Sequence, residues 1–235
     1  MTTQTPWRKG AVEVIVIVLG ISIALAADAL WSARVERQDE QEALGRLYDD
    51  FSAALQAMES PKAAHQENLE AFSEMLRLIA AGGVPPGSYQ VPDSLLLAIY
   101  GTYAWTPPLG ALQSLLSAGD IALIRNDSLR AELTAWPEVV KRVNGEEASD
   151  RLMYEQVQLP ITFQTVPYVS VIHRKVGDYA SESPLEPDYG RLLTDLTFEN
   201  VMEWRLVNTS EILTEYDSAG RTLQRIRAIL ASELK

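Results

Sequence analysis

The chain has no cysteine and only two histidines among its 235 residues. The first absence removes disulfides, thiol nucleophiles and cysteine-bound zinc, and it leaves the redox compartment open. The second confines imidazole chemistry to His65 and His173. Neither has a second ligand at the i,i+4 spacing of an H-E-x-x-H helix, and both read as solvated surface side chains. Positive charge is also short: 20 Lys and Arg face 32 Asp and Glu, for a net charge of −12. That balance argues against nucleic acid as a partner and against broad adhesion of the domain to anionic lipid. There is no G-x-S-x-G, no P-loop and no dinucleotide-binding glycine pattern. The expectation is therefore a non-enzyme with no catalytic residue, no cofactor and no metal. The carboxylate pairs Glu146-Glu147 and Glu182/Glu186 are of the kind that so acidic a chain produces by chance. Asn126-Asp127-Ser128 and Asn208-Thr209-Ser210 match glycosylation sequons but fall at helical positions, and they read as a cap and a coincidence.

What the chain does have is one long apolar run. Between Trp7 and Trp31 it reads Arg8-Lys9-Gly10 and then AVEVIVIVLGISIALAADAL. At 1.5 Å per residue a helix sets the two tryptophans about 36 Å apart, the distance between the two headgroup levels where Trp is enriched. Within lipid the backbone must satisfy its own hydrogen bonds, so the segment is helical despite its β-branched residues. Glu13 and Asp28 lie within about a turn of the two interfaces, where charge is tolerated. The plain reading has them leaning toward the headgroups, with Glu13 beside Lys9. The sharper one has Glu13 meeting a polar group on a second helix, admitted by the small pair Gly20 and Ala24. A cleaved signal peptide is the rival, with Ala24-Leu25-Ala26 as its A-x-A site. Glu13 at the start of the apolar core and helical periodicity beyond Ala26 favour an anchor. Arg8 and Lys9 precede the span and Arg34 and Arg37 follow it, so the positive-inside comparison nearly ties. The expected orientation keeps the N-terminus in the cytoplasm and the domain outside the inner membrane.

The expected organisation is a tail over 1–10, a transmembrane helix over 11–31 and a helical soluble domain, stalk included, over 32–235. Leu44, Leu47, Phe51, Leu55 and Met58 form the stripe of a stalk helix, ended or restarted at Ser60-Pro61. A second helix follows to Ala81, with Leu69, Phe72, Leu76 and Ile79 on one face and Gly82-Gly83 as its stop. Asp93 is the expected N-cap of a short helix to about Tyr103. Another runs from Leu109 to Ala118, closed by Gly119, and Ile121 to Ile124 is an apolar tether. Asn126 caps a long helix, with a kink or restart at Pro137, loosening at Asn144-Gly145 and an end before Pro160. Residues 160–192 form one long irregular loop in which Tyr168, Val169 and Val171 make a short extended piece. Thr197 to Leu234 is a single helix with Leu213, Tyr216, Leu223, Ile226 and Leu230 in register. It is expected to pack antiparallel on the stalk and to bring Arg221, Arg225, Arg227 and Lys235 near the headgroups or the negative end of their own helix. The fold class is all-α, an antiparallel helical bundle on a transmembrane stalk. Tyr100, Tyr103, Trp105 and Trp136 are candidates for a pocket or partner face, and more simply for core.

Two stretches carry a resemblance. One is Glu13-Val14 leading into Val16 to Leu25, followed by Asp28-x-x-Trp31-x-x-Arg34. The other is Leu112 to Gly119 through Leu123-Ile124-Arg125-Asn126 to Leu129-Arg130-x-x-Leu133. Together they resemble a family of uncharacterised bacterial single-pass membrane proteins, over essentially the whole chain. The resemblance implies architecture and no activity. The partners expected are the lipid bilayer and another membrane protein, or a second copy through the span. The expected function is an accessory or scaffold role at the inner membrane, with an extracytoplasmic ligand sensor signalling through a partner as one alternative and a domain facing the cytoplasm as another.

Overall fold

The computed structural model describes residues 6–81, 91–169 and 183–234. Helix α1 runs from Pro6 to Ala80 without a break. Its first part stands clear of everything else: Ile15 to Leu25 are exposed, as are Leu30 (74%) and Trp31 (69%). From Ala43 onward one face is buried, through Leu44, Leu47, Phe51, Ala54 and Met58. The burial continues in the same three- and four-residue steps through His65, Asn68, Phe72 and Met75. An interior proline costs a helix about 3 kcal/mol, yet Pro61 lies inside α1. Burial of Ala54 and Met58 before it and of His65, Asn68 and Phe72 after it holds the helix in place, so the expected boundary at Ser60-Pro61 does not occur. Leu69, Leu76 and Ile79, expected in the core, are only half-buried.

Helix α2 spans Asp93–Ile99, and Pro92 rather than Asp93 holds the cap position. Asp93 sits in the first turn, where a carboxylate faces the positive end of the helix. Helix α3 spans Gly110–Ala118 and is closed by Gly119 at φ 78°, a left-handed conformation that costs other residues about 1–2 kcal/mol. A 3-10 turn, Asp120–Leu123, leads to α4, Asp127–Met153. The Asn126 side chain accepts from the Leu129 N–H and caps α4 as expected. Pro137 and Asn144-Gly145 lie within α4 and do not interrupt it. At Tyr154–Gln158 the helix widens to a π turn and then continues as α5, Leu159–Phe163. Pro160 falls in the first two positions of α5, where a missing N–H is tolerated, so the helix does not end before it. Tyr168 and Val169 are helical rather than extended, and Val171 lies outside the described residues. Helix α6, Tyr189–Leu193, leads into α7, Leu196–Glu233, which Asp195 caps through the Thr197 and Phe198 N–H groups.

The architecture is an all-α bundle with no strand among the described residues. Helix α7 lies antiparallel on α1: Gln41 donates to the Glu233 carbonyl, and Lys62 meets Asp217 at 2.5 Å. Helix α4 packs against α7, with Arg225 bidentate on Glu132. Arg227 lies over the Tyr48 ring, about 25 Å beyond Trp31 by helical rise. Arg225 and Arg227 are therefore engaged within the bundle and not beside Trp31. The last turn of α7 holds no basic residue, so complementing its own helix end does not account for them either.

Candidate functional site

Two apolar cores stack along the bundle. The proximal one, nearer the exposed N-terminal run, gathers Ala43 to Met58 of α1, Leu129 to Val143 of α4 and Ile212 to Leu230 of α7. The distal one gathers Ala71 to Met75 of α1, the apolar face of α2, and Phe198, Val201 and Met202 of α7. Between them all three long helices turn polar at the same level. Helix α1 places His65 and Asn68 there, α4 places Glu147 and Asp150, and α7 places Arg205, Asn208 and Thr209, all buried.

The reason lies in the chain between α2 and α3. Residues 101–109 are not helical, and they thread past the interior. Buried backbone groups outside a helix need partners from elsewhere. Arg205 provides donors to the Gly101 carbonyl, at the start of this segment, and to that of Ile99, at the end of α2. Its Nη1 donates to the Ile99 carbonyl at 2.6 Å and to Gln158 Oε1 at 2.6 Å, and its Nη2 donates to the Gly101 carbonyl at 2.9 Å. Nε and Nη2 also grip the two Asp150 oxygens at 2.8 and 2.7 Å. The five N–H groups of a guanidinium are thus all used, in the bidentate geometry that makes Arg–carboxylate pairs strong. The Phe72 ring lies 4.6 Å from the guanidinium carbon. Gln158 Nε2 donates to the Ile99 carbonyl and Asn68 Nδ2 to the Gly101 carbonyl. The π turn is what presents both Tyr154 and Gln158 to Arg205.

One turn away, Glu147 closes the other side of the layer. Both its oxygens accept from the Trp105 N–H, at 3.0 and 3.1 Å, and Oε1 accepts from the Tyr216 hydroxyl at 2.5 Å. His65 Nε2 lies 3.6 Å from the same oxygen, and neither ring nitrogen has a hydrogen bond among the described residues. The imidazole packs on Tyr216 and edge-on to Tyr103. Burial, reinforced by the hydrogen bond to Glu147, pushes the Tyr216 phenol well above its ordinary value. Burial likewise raises Tyr100 and takes Tyr154 up to about 12, with Tyr168 adding to the shift.

His65 is therefore an interior residue, contrary to the surface reading. Its spacing explains why: it continues the buried stripe of α1. His173 lies outside the described residues. Glu147 is a buried acceptor rather than a chance acid, Glu186 is exposed and Glu182 is outside the described residues. Trp105 and Trp136 sit edge-to-face in the proximal core, and Tyr100 and Tyr103 are half-buried around the layer. Asn208 donates to the Glu146 carbonyl, so the asparagine of the second sequon is enclosed, with Thr209 buried beside it. Glu13, Gly20, Ala24 and Asp28 all lie on the exposed part of α1. Trp7, Arg8 and Lys9 belong to the same helix.

The signal that sequence reasoning missed was register. Arg205 falls on the apolar stripe of α7, between Met202 and Ile212, and Glu147 and Asp150 extend the stripe of Leu133, Trp136 and Val143 on α4. Chemically the layer joins helices and a threaded segment. Among the described residues no group of three or more His, Asp and Glu is gathered as a metal site. Two surface features remain: the exposed apolar run of α1, long enough to cross a membrane, and an open groove between α1 and α7 beside the distal core. Comparison with protein-family models, curated proteins and solved structures finds no match to this chain.

Proposed function

We propose that this protein is a membrane-anchored interaction protein, whose helical bundle serves as an accessory scaffold at the surface of a bacterial inner membrane. The observation that carries this reading is the continuity of α1. The exposed apolar run and the central helix of the bundle are one helix. Ala43, where apolar burial begins, follows Trp31 by about 18 Å of rise. A tether of that kind holds the domain at a set height and angle, which suits presentation of a face to neighbours better than free diffusion on a linker. In this reading Trp7 and Trp31 mark the two interfaces, and Gly20 and Ala24 offer the close approach for a second helix. The N-terminus is placed in the cytoplasm and the bundle in the periplasm.

A ligand-sensing role is the second reading. It is favoured by the same continuity, because α1 links the span directly to His65 and Asn68 in the polar layer.

The test is a pair of fusions after Lys235, one reporter active only outside the inner membrane and one fluorescent only inside, read in alkaline-washed membranes. Outside activity in the washed pellet is the expected result. Inside fluorescence would reverse the orientation, and loss of the chain from the pellet would sink the anchor.

A further inference from the structure

The groove between α1 and α7 lies where a third helix would complete the packing. Its floor is Leu69 of α1 with Leu206 and Val207 of α7, and Val207 is 58% exposed. Glu70 and Glu74 line the α1 side and Glu211 the α7 side, with Ser73 and Ser210 between. The cation at its edge, Arg77, is held by Glu74 at 2.5 Å. The groove encloses about 980 Å³. Two turns of an α-helix occupy roughly 1,000 Å³, from the helix diameter and pitch. An apolar floor between acidic walls has one complement in shape and charge: an amphipathic helix with aliphatic residues on one face and Lys or Arg flanking it. A second copy of this chain is a poor occupant, because its net charge is −12 and like charges oppose close approach.

We infer that this groove docks a short basic amphipathic helix of a partner protein. The inference rests on the scaffold reading and supplies its partner chemistry. The partner's aliphatic face would cover Val207 and Leu69, and its cations would meet Glu70, Glu74 and Glu211.

The test uses the full chain in nanodiscs of zwitterionic lipid. The probe is a fluorescein-labelled Leu/Lys peptide of roughly five helical turns, compared with an isomer of the same composition whose pattern is scrambled. Anisotropy is expected to show saturable binding of the patterned peptide only. Val207→Glu is expected to weaken it about tenfold, the scale for losing one central contact. Glu70→Lys/Glu74→Lys/Glu211→Lys is expected to abolish it. A charge-matched control, Glu42→Lys/Asp127→Lys/Glu138→Lys in the proximal half, is expected to bind as the unsubstituted chain does. Equal binding of both peptides, or equal loss with the control, would reduce the effect to bulk charge and overturn the inference. Self-association of the chain that Val207→Glu removes would give the groove to a second copy and also overturn it. Co-migration of the chain with nanodiscs is read in the same samples, so failure of the anchor and failure of the groove are told apart.

Discussion

The proximal and distal cores share α1 and α7 but are closed in different ways. In the proximal half a third long helix, α4, completes the packing. Trp136, Trp105 and Phe51 fill the space with rings 5.5–6.1 Å apart, and Arg225–Glu132 and Arg142–Glu215 bridge α4 to α7 at the rim. In the distal half the third side is made of short pieces: α2, the π turn, α5 and α6. Helices of five to seven residues have little stability of their own. They are held by burial of Leu95, Leu96, Ile99, Leu192 and Leu193, and by the polar layer at their base. A long helix brings its own hydrogen bonds to a core. A set of short ones must borrow them, and here Arg205, Gln158 and Asn68 lend.

The strongest way to break this comparison is at Arg205. Arg205→Ala leaves Asp150 charged and buried and reduces the Ile99 and Gly101 carbonyls to one donor each, Gln158 and Asn68, and breaking such a buried pair costs about 3–5 kcal/mol. Urea unfolding is expected to show that loss. Hydrogen exchange is expected to show it first in α2, the π turn and α5, while α4 before Val143 keeps its protection. Arg205→Lys retains the charge but not the fork, and is expected to rescue only part. Uniform loss of protection along α4 would mean that the two cores are one cooperative unit.

Tyr216 sharpens the comparison from the other side of the layer. Tyr216→Phe removes a donor from buried Glu147, at a cost of about 1–3 kcal/mol. The phenols of Tyr216, Tyr100 and Tyr154 are raised above 10 in the folded state. The folded chain therefore holds protons there that the unfolded chain releases, so stability falls as pH rises from about 10 upward and is independent of pH from these groups near neutrality. Absorbance at 295 nm followed alongside circular dichroism is expected to show these three phenols ionising only with unfolding. Ionisation ahead of unfolding would place them in contact with solvent.

The smallest effects are at the caps, one for each half. Asn126→Ala in the proximal half and Asp195→Ala in the distal half each remove a helix cap, for about 1 kcal/mol. Asn126 also donates to Glu233 at 2.6 Å, so the proximal cap is expected to cost more. Thermal unfolding of the two variants decides the order.

Much of the architecture was legible in local patterns. The apolar run, the stripe of α7, the cap at Asn126 and the left-handed Gly119 are each set by a few adjacent residues, and the structure has them where those residues imply, except that Ile212 rather than Leu213 takes the buried position on α7. The misreadings share one cause. Pro61, Pro137 and Pro160 were weighed by local propensity, whereas burial on both sides, or a position at a helix start, decided their outcome. His65 reads locally as a surface side chain, Glu147 as a chance acid, and Arg205 draws no notice, although each sits on its helix's apolar stripe.

By itself the sequence determined that the chain is helical, that it carries one apolar run long enough to cross a membrane, and most of the buried stripes on the first half of the stalk and on α7. These follow from composition and from a period that any helix imposes. Only the tertiary structure decided that three polar stretches on three helices meet at one level. The physical reason is non-local: the threaded segment at 101–109 needs donors and an acceptor, and only the packed bundle brings Arg205, Asn68 and Glu147 to it, with Asp150 holding Arg205.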